Sequence, residues 1–330
     1  MKPLVSIVTP SLNQGEFIES CIKSLASQTY PRIEHIIVDG GSTDETLAVI
    51  HEHQHSVAIF RSERDQGTSE AINKGFSWSS GDFLWVLNSD DYLIRTDAIE
   101  ILVETLLVNA HADFVCGDLR LVDCKGRTIG VRKFPAINLE HLLLDRRHLP
   151  FAGCLMRRTC YDRLGGFDTD LKYANDIEFF CRLTTEKPLY PVRKVLADMR
   201  IHSSSSTQSN IALVGRETIS VCRRYSAIAD ANGLLSMPRT QVEAALDAQE
   251  AGYHFHGANR YASRDCVKKA VKKEPIRALQ PTLVVYFLSS YLSASLHHAI
   301  GVVMRAIIKT KIGYKINSTF YRLFNRIPRQ

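Results

Sequence analysis

A chain of 330 residues, 45% hydrophobic and 23% charged with 18 Gly and 11 Pro, falls in the ordinary globular range, which excludes collagen-like, low-complexity and largely disordered chains. At about 100–200 residues per domain, the length suits one catalytic-size domain with an appendage. The net charge of +6 is unevenly spread: eight basic and no acidic residues follow Glu274, so residues 1–274 hold 33 basic against 35 acidic side chains, excluding nucleic-acid binding by the body and marking the tail as a contact for an anionic surface.

Residues 4–8 form an apolar run closed by Pro10, Asn13 and Gly15, after which Phe17, Ile18, Cys21, Ile22 and Leu25 recur at helical spacing. The strand, loop and helix pattern then repeats. Residues 33–38 end at Asp39-Gly40-Gly41, where Ser42 can cap a helix from Thr43, and a third strand at 57–60 leads into a polar loop at 64–67. A helix over 69–78 and a strand over 83–87 follow. This alternation predicts an α/β fold with a mostly parallel central sheet, whose ligand site lies beyond the carboxyl ends of its strands.

Farther on, the spacing predicts a helix over 96–110 capped by Thr96, strands over 114–122 and 128–134 about a Lys125-Gly126 turn, and a strand over 151–156. A helix over 176–186 and extended chain over 189–201 come next. Past the serines at 203–206, helical patterns cover 214–231, 238–253 and 260–273. Residues 282–304 are 23 positions without Asp, Glu, Lys or Arg, long enough to span a bilayer. Yet Ser289, Ser293 and His297 align on one helical face, so an in-plane membrane helix with a basic tail is expected ahead of a span or a self-packed helix. The eight cysteines lack any C-x-x-C pair and lie mostly in apolar runs, so reduced, structural thiols are expected. The first residues enter a strand pattern without a signal-peptide core, and together these features predict a cytoplasmic protein.

The richest chemistry is Asn88-Ser89-Asp90-Asp91, directly after an apolar strand. Adjacent acids repel and need a cation or several donors to stay ionised. A hard Mg²⁺ or Mn²⁺, completed by substrate phosphates, is the usual partner, although such pairs also fill turns and cap helices. Asp39 ends the second strand beside glycines that allow close backbone approach, Thr9-Pro10-Ser11-Leu12-Asn13 ends the first, and Asp65-Gln66-Gly67 follows the third.

Taken together, Ser6-Ile7-Val8-Thr9-Pro10, Val38-Asp39-Gly40-Gly41-Ser42-Thr43-Asp44, Ala71-Ile72-Asn73-Lys74-Gly75, Gly81-Asp82 and Asn88-Ser89-Asp90-Asp91 closely resemble the family 2 glycosyltransferases, in order and spacing over residues 4–91. The likeness continues more loosely to about residue 207 through Gly165-Gly166-Phe167-Asp168, the segment from Tyr173 to Phe179, and Arg200-Ile201-His202.

The resemblance implies a GT-A fold and an inverting nucleotide-sugar transferase. It places Asp176 as catalytic base, Asp91 as metal ligand, and Thr9, Pro10, Asn13, Asp39, Asp65, Asn73, Asp90 and His202 at the substrate. Asn175 stands where some relatives carry an acid. The implied donor is a UDP-, GDP- or dTDP-sugar and the implied acceptor a glycan or lipid-linked hydroxyl at an inner membrane surface, in cell-surface polysaccharide synthesis. On this reading 1–210 is the transferase domain, with 1–95 on the nucleotide-sugar side and 96–210 on the acceptor side, and 211–330 is a helical region, membrane-associating from 282.

Several residues have simpler readings. Asp44 and Asp82 suit a helix start and a turn, Asn73 can tie loops together, His202 can be structural, Glu63 and Asp65, which lie where relatives contact the base, can be plain loop residues, Glu178 is secondary, and Trp78 and Trp85 suit a core. A nucleotidyltransferase would want a basic glycine-rich loop after the first strand, and an oxidoreductase G-x-G-x-x-G; neither occurs there. A non-catalytic nucleotide-sugar binder remains the other alternative, against which the retained Asp39, Asp90, Asp91 and Asp176 argue.

Overall fold

A computed structural model describes residues 1–144, 149–202, 205, 210–257, 259–275, 277 and 280–289. Contacts divide the chain into two compact units, one of residues 1–124 and 131–201 and one of residues 125–130 and those from 202 onward.

The first unit opens with β1 (Val5–Ser11), α1 (Ile18–Ala26), β2 (Ile33–Asp39), α2 (Thr46–Glu52), β3 (Ile59–Ser62), α3 (Thr68–Trp78) and β4 (Phe83–Val86). These four strands lie in the order β3-β2-β1-β4, all parallel, with Ser11 opposite Asp39 and Asp39 opposite Ser62. Every residue of β1 and β4 is buried, as expected for strands covered on both faces. Ile18, Ile22 and Ile50 close over Ile37 on one side. The helix α3 approaches β1 so closely that a Cβ on Gly75 would meet Val8 Cγ1 at 2.5 Å, which is why glycine stands there.

The sheet then turns mixed. After β5 (Tyr92–Leu93) and α4 (Ala98–Val108) come β6 (Phe114–Val122), β7 (Thr128–Arg132), α5 (Leu139–Leu144), β8 (Cys154–Arg157), α6 (Arg158–Leu164), α7 (Asn175–Glu186) and β9 (Tyr190–Arg200). The order continues β4-β8-β6-β9-β5, with β8 antiparallel to both neighbours, β6 and β9 parallel, and β5 antiparallel at the edge. The buried Asp198 on β9 is held by Nε and Nη2 of Arg120 on β6, at 2.7 Å each.

Several local expectations shift. The second helix starts at Thr46, not Thr43, because the Ser42 hydroxyl is taken by Asp39 while Asp44 accepts from the Thr46 N–H at 3.0 Å. A 3₁₀ turn at Gln54–Ser56 delays β3 to Ile59. Thr96 does not cap α4, whose N-cap is Asp97. The short β5, α5 and α6 carry too little periodicity to be read from sequence. Trp85 is in the core, donating Nε1–H to Phe151 O at 3.0 Å, but Trp78 is only half-buried, with Arg61 stacked on its ring at 4.4 Å. All eight cysteines are free, and Cys124 alone among them is exposed.

The second unit is helical in its described part: α8 (Ile211–Ala231), α9 (Arg239–His256), α10 (Arg260–Lys273) and α11 (Pro281–Ser289). Leu283 and Tyr286 of α11 join a buried cluster with Phe255, Cys266 and Ala270, whereas Val284 and Leu288 are exposed. The predicted membrane segment from 282 is therefore two-faced as far as it is described, and residues 290–330, with the basic tail, lie outside the described residues. Among the described residues no helix is long and apolar enough to cross a membrane.

Candidate active site

The carboxyl ends of β3, β2, β1 and β4 lie side by side and bring their polar turns to one edge of the sheet. The turn after β2 is tied around Asp39, which is fully buried. Its Oδ2 accepts from the backbone N–H groups of Gly41 and Ser42 at 3.0 and 2.9 Å and from Ser62 Oγ at 2.6 Å, while Oδ1 accepts from Ser42 Oγ. Asn13 links this turn to the end of β1. Its N–H donates to Ser42 Oγ at 2.8 Å and its Oδ1 accepts from Thr43 N at 2.9 Å, in a left-handed backbone conformation with φ 52° that asparagine tolerates better than most residues. Asp65 accepts from Gly67 N at 2.9 Å and leans on Gly40, where a Cβ would come within 3.0 Å of its Oδ2; burial raises its pKa.

The turn after β4 is built differently. Asp91 is buried and accepts from the Arg200 N–H at 3.0 Å, and Arg200 Nε donates to the Asp90 carbonyl at 3.0 Å. Burial first, and then the Asp90 carboxylate beside it, push the Asp91 carboxyl well above the usual range, against the Arg200 N–H, the Asn88 side chain and the Arg200 charge. Two adjacent acids whose ligand atoms are all oxygen fit a hard divalent cation. Arg200 is braced by the rings of Phe17 and Tyr92, whose centroids lie 4.8 and 5.3 Å from its guanidinium carbon.

Asp176 sits in the first turn of α7, partly exposed, its Oδ1 accepting from Ile177 N at 2.7 Å. Burial lifts its pKa to about 6 despite the helix N-terminus, which alone would hold it down. Neighbouring Asn175 accepts from Asp176 N at 3.0 Å through Oδ1, leaving its buried Nδ2 without a partner among the described residues. From within this helix, Arg182 anchors the preceding Gly165-Gly166 turn by donating to Gly166 O at 2.7 Å while paired with Glu178 at 2.6 Å.

Other expected contacts are engaged within the protein. The Thr9 hydroxyl is fully buried and lies 3.0 Å from His35 Nε2. Pro10 is also buried, within β1 opposite Val38. Asn73 Nδ2 donates to Phe167 O at 2.9 Å, and its Oδ1 accepts from Tyr161 Oη at 2.8 Å and Phe167 N at 2.9 Å, so it holds the loop at Phe167. Asp82 accepts from Leu4 N at 2.8 Å as a turn residue, and Glu63 pairs with Lys74 at 2.7 Å. His202 is buried and opens the second unit, so it is not grouped with the residues of the first. Arg200, Ser62 and Tyr161 had no assigned role from sequence, because each acts through a neighbour far away in the chain.

The family model described as Glycosyl transferase family 2 matches residues 6–165. The protein named "Uncharacterized glycosyltransferase Rv1514c" of Mycobacterium tuberculosis is 30% identical over 229 residues, covering 68% of this chain and 86% of that protein. A PGL/p-HBAD biosynthesis glycosyltransferase of Mycobacterium bovis is 29% identical over 183 residues, 54% of this chain and 69% of that one. Among solved structures, residues 1–349 of S. aureus TarS in complex with UDP-GlcNAc align with a TM-score of 0.60 at 16% identity, covering 90% of this chain and 91% of that one. The mannosyltransferase PcManGT from Pyrobaculum calidifontis, in complex with GDP-Man and Mn²⁺, aligns at 0.55 and 16% identity, covering 92% and 85%. These structural likenesses establish the GT-A architecture, and the sequence matches set aside the nucleotidyltransferase reading. An α/β sheet with its polar turns gathered at the carboxyl ends, a helical C-terminal region and relatives of this extent make the chain a member of the family 2 glycosyltransferases, and hence a glycosyltransferase.

Proposed function

We propose that the chain moves a sugar from a UDP-, GDP- or dTDP-linked donor to a hydroxyl of a glycan or lipid-linked acceptor, with inversion at the anomeric carbon. The observation that carries this reading is Asp176, a partly exposed carboxyl whose pKa of about 6 suits a base working near neutrality. Asp176 takes the proton of the acceptor hydroxyl as that oxygen bonds to the anomeric carbon. The bond to the diphosphate breaks with its electron pair leaving on the nucleotide. One base on the face opposite the leaving group makes this a single displacement. Asn175 Nδ2, unpartnered beside the base, offers a hydrogen bond to an acceptor oxygen.

Donor binding falls to the strand-end turns. Asp39 and Asp65 face the base, Asp90 the ribose hydroxyls, and Pro10 and Asn13 shape the floor. Asp91, with Asp90 beside it, would hold Mg²⁺ or Mn²⁺, which supplies charge neutralisation for the departing diphosphate. The relatives' support is that TarS is solved with UDP-GlcNAc and PcManGT with GDP-Man and Mn²⁺.

The experiment is a thermal-shift panel of UDP-, GDP- and dTDP-sugars with and without Mn²⁺, followed by turnover with the donor that stabilises and by the anomeric configuration of the product. No stabilisation by any donor, or a product with retained configuration, defeats the reading. We further propose that the segment from 282 places the enzyme on the inner face of a membrane, each basic residue near an anionic surface contributing roughly 1 kcal/mol. Partial release from anionic vesicles at high salt is expected. A truncation after Gln280 that binds vesicles as well as the full chain removes the tail from this role.

A further inference from the structure

The helical unit holds a side-chain cluster that sugar transfer does not use. Glu250 and His254 stand four residues apart on α9, hence on one face, and Cys266 meets them from α10. Their potential ligand atoms all lie within 4.8 Å of one another, and His254 Nε2 is 3.8 Å from Glu250 Oε1. Packing fixes the positions, since Cys266 belongs to the buried cluster with Phe255 and Ala270.

Ordinary pairing leaves these atoms available. Cys266 forms no disulfide, and His254 Nε2 faces Glu250 Oε1 at 3.8 Å, beyond hydrogen-bond reach. Arg223 takes Glu250 Oε2 at 2.6 Å, which leaves Oε1 toward His254 and orients the carboxylate as an outer-shell partner would. The charge of Arg223 is already answered by Asp247 at 2.9 Å and Glu243 at 3.8 Å.

The geometry points to a zinc site formed by Glu250 Oε1, His254 Nε2 and Cys266 Sγ, with the fourth position left to water. One sulfur, one nitrogen and one oxygen ligand favour Zn²⁺ over the hard Mg²⁺ and Mn²⁺. A tetrahedral shell sets ligand atoms roughly 3.3–3.6 Å apart, so the side chains close by about an ångström. The thiol proton passes to solvent as the metal–sulfur bond forms, and the ion staples α9 to α10.

Co²⁺ titrated into the full chain tests this, because a sulfur-to-cobalt charge-transfer band reports thiolate ligation and an all-oxygen site at Asp90 and Asp91 gives none. One equivalent should produce the band, Zn²⁺ should abolish it, and Asp91→Asn should retain it. Cys266→Ser should lose it while melting as a folded protein. Glu250→Gln and His254→Ala should weaken Co²⁺ binding by at least the roughly 10–100-fold that loss of an outer-shell partner costs. If the serine variant does not fold, equilibrium dialysis of Zn²⁺ against Mn²⁺-saturated protein decides, with one zinc lost in His254→Ala. No band in the full chain, a band that persists in Cys266→Ser, or unchanged zinc stoichiometry in His254→Ala overturns the site.

Discussion

The turn after β2 and the turn after β4 each carry a buried aspartate at the same edge of the sheet, but their surroundings differ. Asp39 receives four hydrogen bonds from its own loop and from Ser62 on the adjacent strand, whereas Asp91 receives the Arg200 N–H and help from Asn88 while standing next to another carboxylate. Asp176, raised to about 6 by burial, resembles Asp91 in this respect. The first turn is complete as folded, and the other two acids hold unspent electrostatic free energy that a cation or an acceptor proton can relieve. Residues of one type thus differ in how far the fold alone satisfies them.

The largest expected effect, and the sharpest test of that separation, is Asp176→Asn. It should lower turnover about 10²–10⁴-fold with donor affinity kept, and the wild-type rate should rise with pH through an apparent pKa near 6. The same raised pKa acts on stability with a definite sign. The folded state holds the Asp176 proton more tightly than the unfolded chain, so this group favours folding at low pH and loses that contribution as pH climbs from 3.8 to about 6. Melting temperatures from pH 4 to 8 should therefore show Asp176→Asn gaining on the wild type across that window. A constant gap would mean the carboxyl is not strained in this way.

Asp91→Asn should abolish the Mn²⁺ dependence of donor binding while leaving the chelated protein at least as stable as the wild type near neutral pH, because burial and Asp90 both oppose the charge. A large loss of stability would place Asp91 with Asp39. Asp39→Asn should do the opposite, costing about 1–3 kcal/mol in denaturant unfolding because buried donors lose their acceptor. Smaller still, Asn73→Ala should cost about 1 kcal/mol and raise KM for the acceptor more than for the donor, as the loop at Tyr161 and Phe167 loosens.

What the sequence revealed follows the range of the forces involved. The parallel half of the sheet was legible because its strands are continuous apolar runs closed by Gly, Pro and Asn, a signal contained within ten residues. In the mixed half the strands β6, β7, β8 and β9 and the helices α4 and α7 were also legible as elements, but their pairing was not, and the short β5, α5 and α6 left little trace. The aspartates of the site were readable as residue types at strand ends. Their surroundings were not: that Thr9 turns to His35, that Asn73 serves Phe167, and that Arg200 supports both Asp90 and Asp91 are facts of register and packing between segments up to about a hundred residues apart. The N-terminus of α7 would by itself lower the Asp176 pKa, and burial, which sequence does not show, overrides it.

The placement of the two tryptophans has a spectroscopic consequence. Trp78 lies half-covered under Arg61 and Trp85 is sealed inside β4, and neither the rest of the first unit nor any part of the second contains another indole. Indole emission on unfolding will therefore report the sheet alone, its red shift arising from Trp85, while ellipticity at helix wavelengths draws heavily on α8 to α11. Recorded on one denaturant series, the two signals amount to separate gauges for the two units. Their coincidence or divergence measures whether sheet and helices melt as one cooperative body.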